Sequence, residues 1–473
     1  MRMKSFIFTG LTFFIVNPHS WAQSGSQQIA SSSTMYATAY NNSHKITFTG
    51  GQLSDYQIYV VYTSDSQIYC VQGSDSNYSI TWLSPVNISN TTGDAFSPAI
   101  TVDQMDLPHI VWRDTRDGQK EIYHTVWQDT AWSIPVNVSQ TPGNSILPAI
   151  ERDTFGNLYL VYADSTSGNW EILFQAYNDS TWSSPVNISQ SSGKSFYPTI
   201  GVYGNTVYVY WEEEMDSSYE IIGKTWDGVA WSPFINASQN VTPSRHPSLA
   251  YPYSADSYGL AWRDSSNGYY DILTLGGNGG TTCGRSDADY PVISHVGSTW
   301  SYMAWMELDS VYGKSYYFMQ GWTQPFVLGQ GYFPSVSGDN YVWTQNDDGF
   351  NYKIMYSSAG YPIGVEGPGD IIEKRREVVT ITPNPFTNIL KITVSSQQIS
   401  NMVIYDLTGR LVKGFQRQEL SNTILWDGKN NNGQQVPAGI YFIRFQSDLG
   451  VRTERIIKLN AYPLHSVTSA GLA

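Results

Sequence analysis

In five units of this chain the aromatic that ends the second strand-like run is followed two positions later by a carboxylate: Trp112 and Asp114, Tyr162 and Asp164, Trp211 and Glu213, Trp262 and Asp264, Trp305 and Glu307. In two of these an arginine stands between the pair, Arg113 and Arg263. Aromatic rings pack on the apolar faces of pyranoses and carboxylates accept hydroxyl hydrogen bonds, so a surface that repeats the pair suits a carbohydrate. The candidate ligand-binding set is therefore Trp112, Arg113, Asp114, Asp164, Trp211, Glu213, Trp262, Arg263, Asp264, Trp305 and Glu307. A competing reading is structural: acids at such positions cap turns by accepting backbone N–H bonds, and the aromatics wedge between neighbouring units.

Hydrolysis of an acidic sugar asks for more. It needs clustered arginines for bidentate pairing, a nucleophile with an acid partner, and a separate acid/base carboxylate. Arg113, Arg116, Arg152, Arg245, Arg263 and Arg285 are scattered along the chain, so no catalytic residue is assigned. The loops D-T-R-D-G (114–118) and N-D-D-G (346–349) offer oxygen ligands of the kind calcium prefers, without the full spacing of a calcium loop. Calcium is thus the one cofactor these loops suit; none is otherwise implied. The histidines are dispersed and suggest no zinc site. The N-x-S triplets at Asn87, Asn137, Asn187 and Asn236 match the glycosylation sequon, but their equivalent places in a repeat make them structural, satisfying a turn.

The elements that must position these residues are repeats. The phrase W-S-I-P-V-N-V-S at Trp132 recurs in variant form at Trp82, Trp182 and Trp231, spaced 50, 50 and 49 residues apart. Each unit holds four strand-like runs punctuated by Gly, Asn, Asp and Ser, as antiparallel hairpins are. The first run starts at Pro98, Pro148, Pro198, Pro247, Pro291 and Pro334, with a degenerate version near Ile46. Four strands in a period of this length is the size of a propeller blade. Runs such as I-V-W and V-Y-V-Y-W are apolar throughout, as strands covered on both faces are. The count is seven blades, with six the alternative. The seventh unit lacks its fourth run, and the orphan strand-like stretch at residues 34–40 is expected to complete it and close the ring. In the fifth unit a glycine-rich stretch, residues 276–280, interrupts the fourth run.

Of 473 residues 14% are aromatic and only 14% charged, which suits half-buried strands better than solvated helices. Residues 23–361 carry 31 acidic against 12 basic side chains, and those beyond carry 9 against 12. So acidic a body excludes nucleic acid as a partner. The N-terminus has a basic start, an apolar run and Ser20-Trp21-Ala22, a secretory signal expected to be cleaved after Ala22. The two cysteines, Cys70 and Cys283, fall in units placed far apart around a ring, and their pairing is not readable from sequence. Residues 362–377 read as a Gly/Pro-containing, then charged, linker. Residues 378–459 read as a small antiparallel sandwich, and 460–473 as a tail.

The repeat, with its W-x-D-x-x-x-G and W-S-x-P-V-N phrases, resembles secreted bacterial repeats related to the sialidase-like propeller superfamily over roughly residues 46–361. The F/Y-R-I-P motif of true sialidases is absent, so the resemblance implies fold more than activity. The phrases P-N-P-F, Y-D-L-T-G-R, W-D-G with N-G, and P-A-G-I-Y-F resemble the C-terminal sorting domain of the type IX secretion system, in the variant akin to the immunoglobulin-like domain of flagellar hook-capping proteins. That resemblance implies export through the periplasm of a Gram-negative bacterium, with the outer-membrane secretion machinery as partner. The expectation is an all-β, exported, monomeric protein: a propeller that binds a glycan or a surface protein without catalysis, followed by a small immunoglobulin-like sandwich. The alternative is a secreted glycoside hydrolase of sialidase-like fold.

Overall fold

The computed structural model describes residues 26–358 and 379–459, apart from 41, 50–55, 77–78, 129, 154, 178–180, 217, 240–241, 251–258, 266–268, 276–286, 297–299, 318–320, 395–398, 407–409, 416–422 and 448–449. The expected signal, linker and tail lie outside these residues, as do Cys283 and the glycine-rich stretch of the fifth unit. Cys70 is a buried free thiol.

The chain is all-β, and its first part is built as a propeller. Among the described residues between 27 and 358 the strands form seven antiparallel sheets in chain order. Their inner strands are Ile46–Phe48, Phe96–Val102, Ser145–Arg152, Ser195–Tyr203, Ser244–Leu249, Ala288–Val296 and Tyr332–Ser337. Successive side chains of a strand point to opposite faces, and here both faces are covered. In Pro108–Asp114, Ile110 and Trp112 enter a core shared with the first sheet, while Val111 enters one shared with the third. The same division recurs along the chain, giving seven apolar cores, each between two consecutive sheets. One of them joins the seventh sheet back to the first through Val342, Ile354, Ile46 and Val60. Hydrogen bonds follow the same path: Lys45 donates its backbone N–H to Ser335 Oγ at 2.9 Å, and His44 Nδ1 lies 3.0 Å from the Val336 carbonyl. Each core side chain taken from water contributes about 1.5–3 kcal/mol, so it is contact between sheets that stabilises the ring.

Three details differ from the sequence reading. The strand that completes the seventh sheet is Gln27–Ser32, paired antiparallel with Tyr352–Ser358; residues 34–40 are not that strand. Ile29 and Ala30 supply the apolar side chains that the seventh-to-first core needs, whereas residues 35–38 form a turn. The fourth run is not one strand either. Its proline interrupts it, so Ala131–Trp132 and Val136–Asn137 pair separately with Glu121–Gln128. Finally, the inner strands begin before the repeated proline, passing through a bulge at the residue that precedes it.

Residues 379–458 form two further sheets: Val379–Thr382, Leu390–Val394 and Thr423–Trp426 in one, Leu411–Gly414, Ile399–Asp406, Gly439–Ser447 and Gly450–Lys458 in the other. Phe386 of P-N-P-F is buried against Trp426, ring centroids 5.3 Å apart, in a core with Leu390, Ile404 and Ile443. The motif therefore closes this small domain with an aromatic plug.

Candidate functional site

The aromatic–acid pairs lie inside the sheets. Residues two apart on a strand share a face, so three of the indole N–H groups meet the following carboxylate: Trp112 to Asp114 at 2.9 Å, Trp211 to Glu213 at 2.8 Å and Trp262 to Asp264 at 3.3 Å. The acids then staple the loop that enters each sheet. Asp114 accepts from Thr91 Oγ1 (2.7 Å), the Arg116 N–H (2.9 Å) and Arg116 Nη2 (2.7 Å). Asp164 accepts from Thr141 (2.6 Å), Ser145 (2.8 Å) and the Thr166 N–H (2.7 Å), while Glu213 and Asp264 hold Ser195 (2.7 Å) and Ser244 (2.8 Å). Trp305 is buried against Tyr312, and Glu307 is half-buried beside it. Trp112, Asp114, Asp164, Trp211, Glu213, Trp262, Asp264 and Trp305 are thus buried inside the sheets, whereas the expected binding set places them on a surface. Of that set Arg113 and Arg263, both half-buried, lead toward a different place.

The sequon asparagines are likewise fasteners: Asn137 Oδ1 accepts the Gln140 N–H at 3.1 Å, and Asn87, Asn187 and Asn236 do the same in their turns. Asp117 of D-T-R-D-G accepts from Asn137 Nδ2 at 3.1 Å, and Asp348 of N-D-D-G from the Phe350 and Asn351 N–H groups. Among the described residues no group of three or more His, Cys, Asp or Glu could hold a metal ion.

A different set of residues converges at the centre. The bulge before each repeated proline puts Ser97, Leu147, Tyr197, His246, Tyr290 and Phe333 at φ between 48° and 56°, a backbone region that costs a non-glycine residue free energy. Four of these side chains meet in sequence: Tyr197 and His246 edge to face at 5.1 Å, His246 stacked on Tyr290 at 4.1 Å, Tyr290 against Phe333 at 4.9 Å. The N-terminal segment is inserted among them. Tyr40 lies 5.5 Å from the Tyr197 ring and 6.0 Å from that of Phe333, and Asn42 Nδ2 donates to the carbonyls of Leu147 (3.2 Å) and Pro198 (3.0 Å). Lys45, fully buried, pins the segment by donating to Tyr40 O (2.8 Å), Ser43 O (3.1 Å) and Ser43 Oγ (2.7 Å).

Ion pairs surround the cluster on one side. Arg245 Nε reaches Glu212 Oε2 at 3.2 Å, His246 Nδ1 lies 2.6 Å from Asp289 Oδ1, and Arg263 Nη1 donates to Asp289 Oδ2 at 2.8 Å. Burial works to raise the Asp289 carboxyl, yet the His246 bond and the Arg263 charge hold it below its ordinary value. Desolvation raises the phenols of Tyr40, Tyr197 and Tyr290, which stay neutral hydrogen-bonding groups. On the other side a cavity of about 350 Å³ opens between the second, third and fourth sheets. It is walled by Tyr36, Tyr40, Phe96 and Tyr197, with Arg113 and Lys120 at its edge. Sequence reasoning missed this set. Its signal was the residue before each repeated proline, which changes from unit to unit (Ser, Leu, Tyr, His, Tyr, Phe) where the flanking phrase repeats.

Residues 380–459 match the family of secretion system C-terminal sorting domains. Such domains mark proteins of Gram-negative Bacteroidetes for type IX secretion, and this protein is exported by that route to the cell surface or beyond. No curated protein matches the chain in sequence. Among solved structures, an ulvan lyase of a new polysaccharide lyase family has 10% identity and a TM-score of 0.49, covering 70% of this chain and 95% of its own. PorZ, a surface component of the type IX secretion system of Porphyromonas gingivalis, has 12% identity and a TM-score of 0.38, with 89% of this chain and 60% of that one covered. An α-L-arabinofuranosidase of Fusarium graminearum has 12% identity and a TM-score of 0.40, covering 60% of this chain and 93% of its own.

Proposed function

We propose that this protein is an exported seven-bladed propeller that binds a glycan through its axial cavity without acting on it. A small immunoglobulin-like sandwich delivers it to the outer-membrane secretion machinery. Seven inter-sheet cores in closed succession favour seven blades over six. The observation that carries the binding reading is the wall of Tyr36, Tyr40, Phe96 and Tyr197 around a cavity with cationic groups at its edge. Stacked faces with a few polar groups are what a saccharide site uses. Tyr36 is 46% exposed, so a ring is presented to an incoming ligand.

A second reading, a carbohydrate-active enzyme, is favoured by one observation: the Tyr197 ring stands edge to face with His246, which lies 2.6 Å from Asp289 and 3.9 Å from Glu212. Against sialoside hydrolysis, Arg245 and Arg263 are engaged by Glu212 and Asp289, which leaves no arginine triad for a substrate carboxylate among the described residues. A glycan array on the mature protein, followed by product analysis of every hit, separates the readings. Binding with intact glycan supports the first, and cleaved product supports the second. No bound glycan overturns both and leaves a surface protein as the partner.

A further inference from the structure

Arg113 and Arg263 are the same residue of the repeat, each directly after the buried tryptophan of its unit. Each guanidinium lies over an aromatic ring, Phe96 at 4.7 Å and Tyr270 at 4.4 Å. Their electrostatic surroundings differ. Arg263 is neutralised by the next sheet, where Asp289 stands two residues before the repeated proline. The residue at that place in the sheet after Arg113 is Ile146. Among the described residues no carboxylate lies within ion-pair distance of Arg113, and Asp94, exposed, acts on it only from further away. Lys120, on the same cavity edge, is likewise without an ion-pair partner among the described residues. The body of the protein is strongly acidic, so two cations without an ion-pair partner among the described residues, lining one aromatic-walled cavity, are a local departure from its charge. A half-buried guanidinium is costly to leave without a counter-charge, and a planar fork of donors matches a carboxylate or sulfate.

We infer that the axial cavity selects glycans carrying an anionic group, a uronate carboxylate or a sulfate ester, held by Arg113 and Lys120 while a sugar ring packs on Tyr36 and Tyr40. This rests on the glycan-binding reading above. It adds that the acid which neutralises the equivalent arginine in another unit is here supplied by the ligand.

The test is an array of uronate-containing, sulfated and neutral glycans probed with the mature wild-type protein and with Arg113→Met. The bound glycans are also presented after carboxyl reduction or desulfation, an arm that uses only wild-type protein and so does not depend on how the variant folds. The expected result is binding confined to acidic glycans, weakened about tenfold or more in the variant, in line with the loss of a charge-assisted hydrogen bond. Binding should fall as far when the anionic group is removed, and the arm that abolishes it tells carboxylate from sulfate. Binding that survives both removal of the anionic group and the substitution overturns this inference while glycan binding stands. No binding to any glycan overturns the glycan reading itself, and this inference with it.

Discussion

Asp114 has both carboxylate oxygens committed inside the protein, and that decides what its removal does. Alanine there would leave the Trp112 indole, the Thr91 hydroxyl and the Arg116 guanidinium without their acceptor. Because Arg116 is partly exposed, the expected loss is about 2–3 kcal/mol, below the range for a fully buried pair. Urea denaturation of the mature Asp114→Ala variant should show a lowered midpoint with glycan binding retained; unchanged stability would show that the staple is idle. The pairing of Trp112 with Asp114 was legible, since residues two apart on a strand share a face. Its role was not. With both faces of the strand covered, alternation gives no outward side, so the structural reading prevailed over the surface one. Arg113, on the opposite parity, was singled out from sequence and does reach the cavity edge.

At the scale of elements, the segment between the strands Gln27–Ser32 and Ile46–Phe48 is what shapes the cavity, and Lys45 anchors it. Burial pushes the Lys45 amine down to about 7. Between that value and the ordinary ammonium range the unfolded chain holds a proton that the folded one does not. Stability therefore rises with pH across this window, by up to about 1.4 kcal/mol per pH unit for one such group. Lys45→Met cannot titrate. As pH is raised from 7 to 10, calorimetry should show the stability difference between the two proteins moving in favour of the wild type; a difference independent of pH would contradict the downward shift that burial imposes on the amine. An N-terminal closing strand was foreseeable from the missing fourth run of the last unit. Its position was displaced in the sequence reading because Thr34 to Tyr40 is as rich in strand-forming residues as the true strand, and only the core it must fill, met by Ile29 and Ala30, tells them apart.

At the scale of the whole molecule, the propeller and the sorting domain have separate apolar cores, and none of the seven inter-sheet cores includes a residue beyond 358. Deleting residues 380–459 should leave the propeller folded yet retained in the periplasm, as fractionation of the producing cells would show; undiminished export would contradict a sorting role. Period and motif made both parts readable, because each repeat builds one sheet and Phe386 of P-N-P-F plugs the core of the C-terminal domain. The proposed site was not readable in the same way. Besides repeat residues such as Arg113, it draws on the positions before the repeated prolines, where units differ, and on an N-terminal segment outside the repeat. If this assembly holds a sugar against its aromatic rings, Tyr36, the exposed ring of the wall, tests it most directly. Calorimetric titration of the best array ligand into wild type and Tyr36→Ala, at a temperature where both are folded, should show affinity falling at least about fivefold, as loss of a stacking ring predicts. Equal affinity in the two proteins would place the glycan elsewhere and contradict the account.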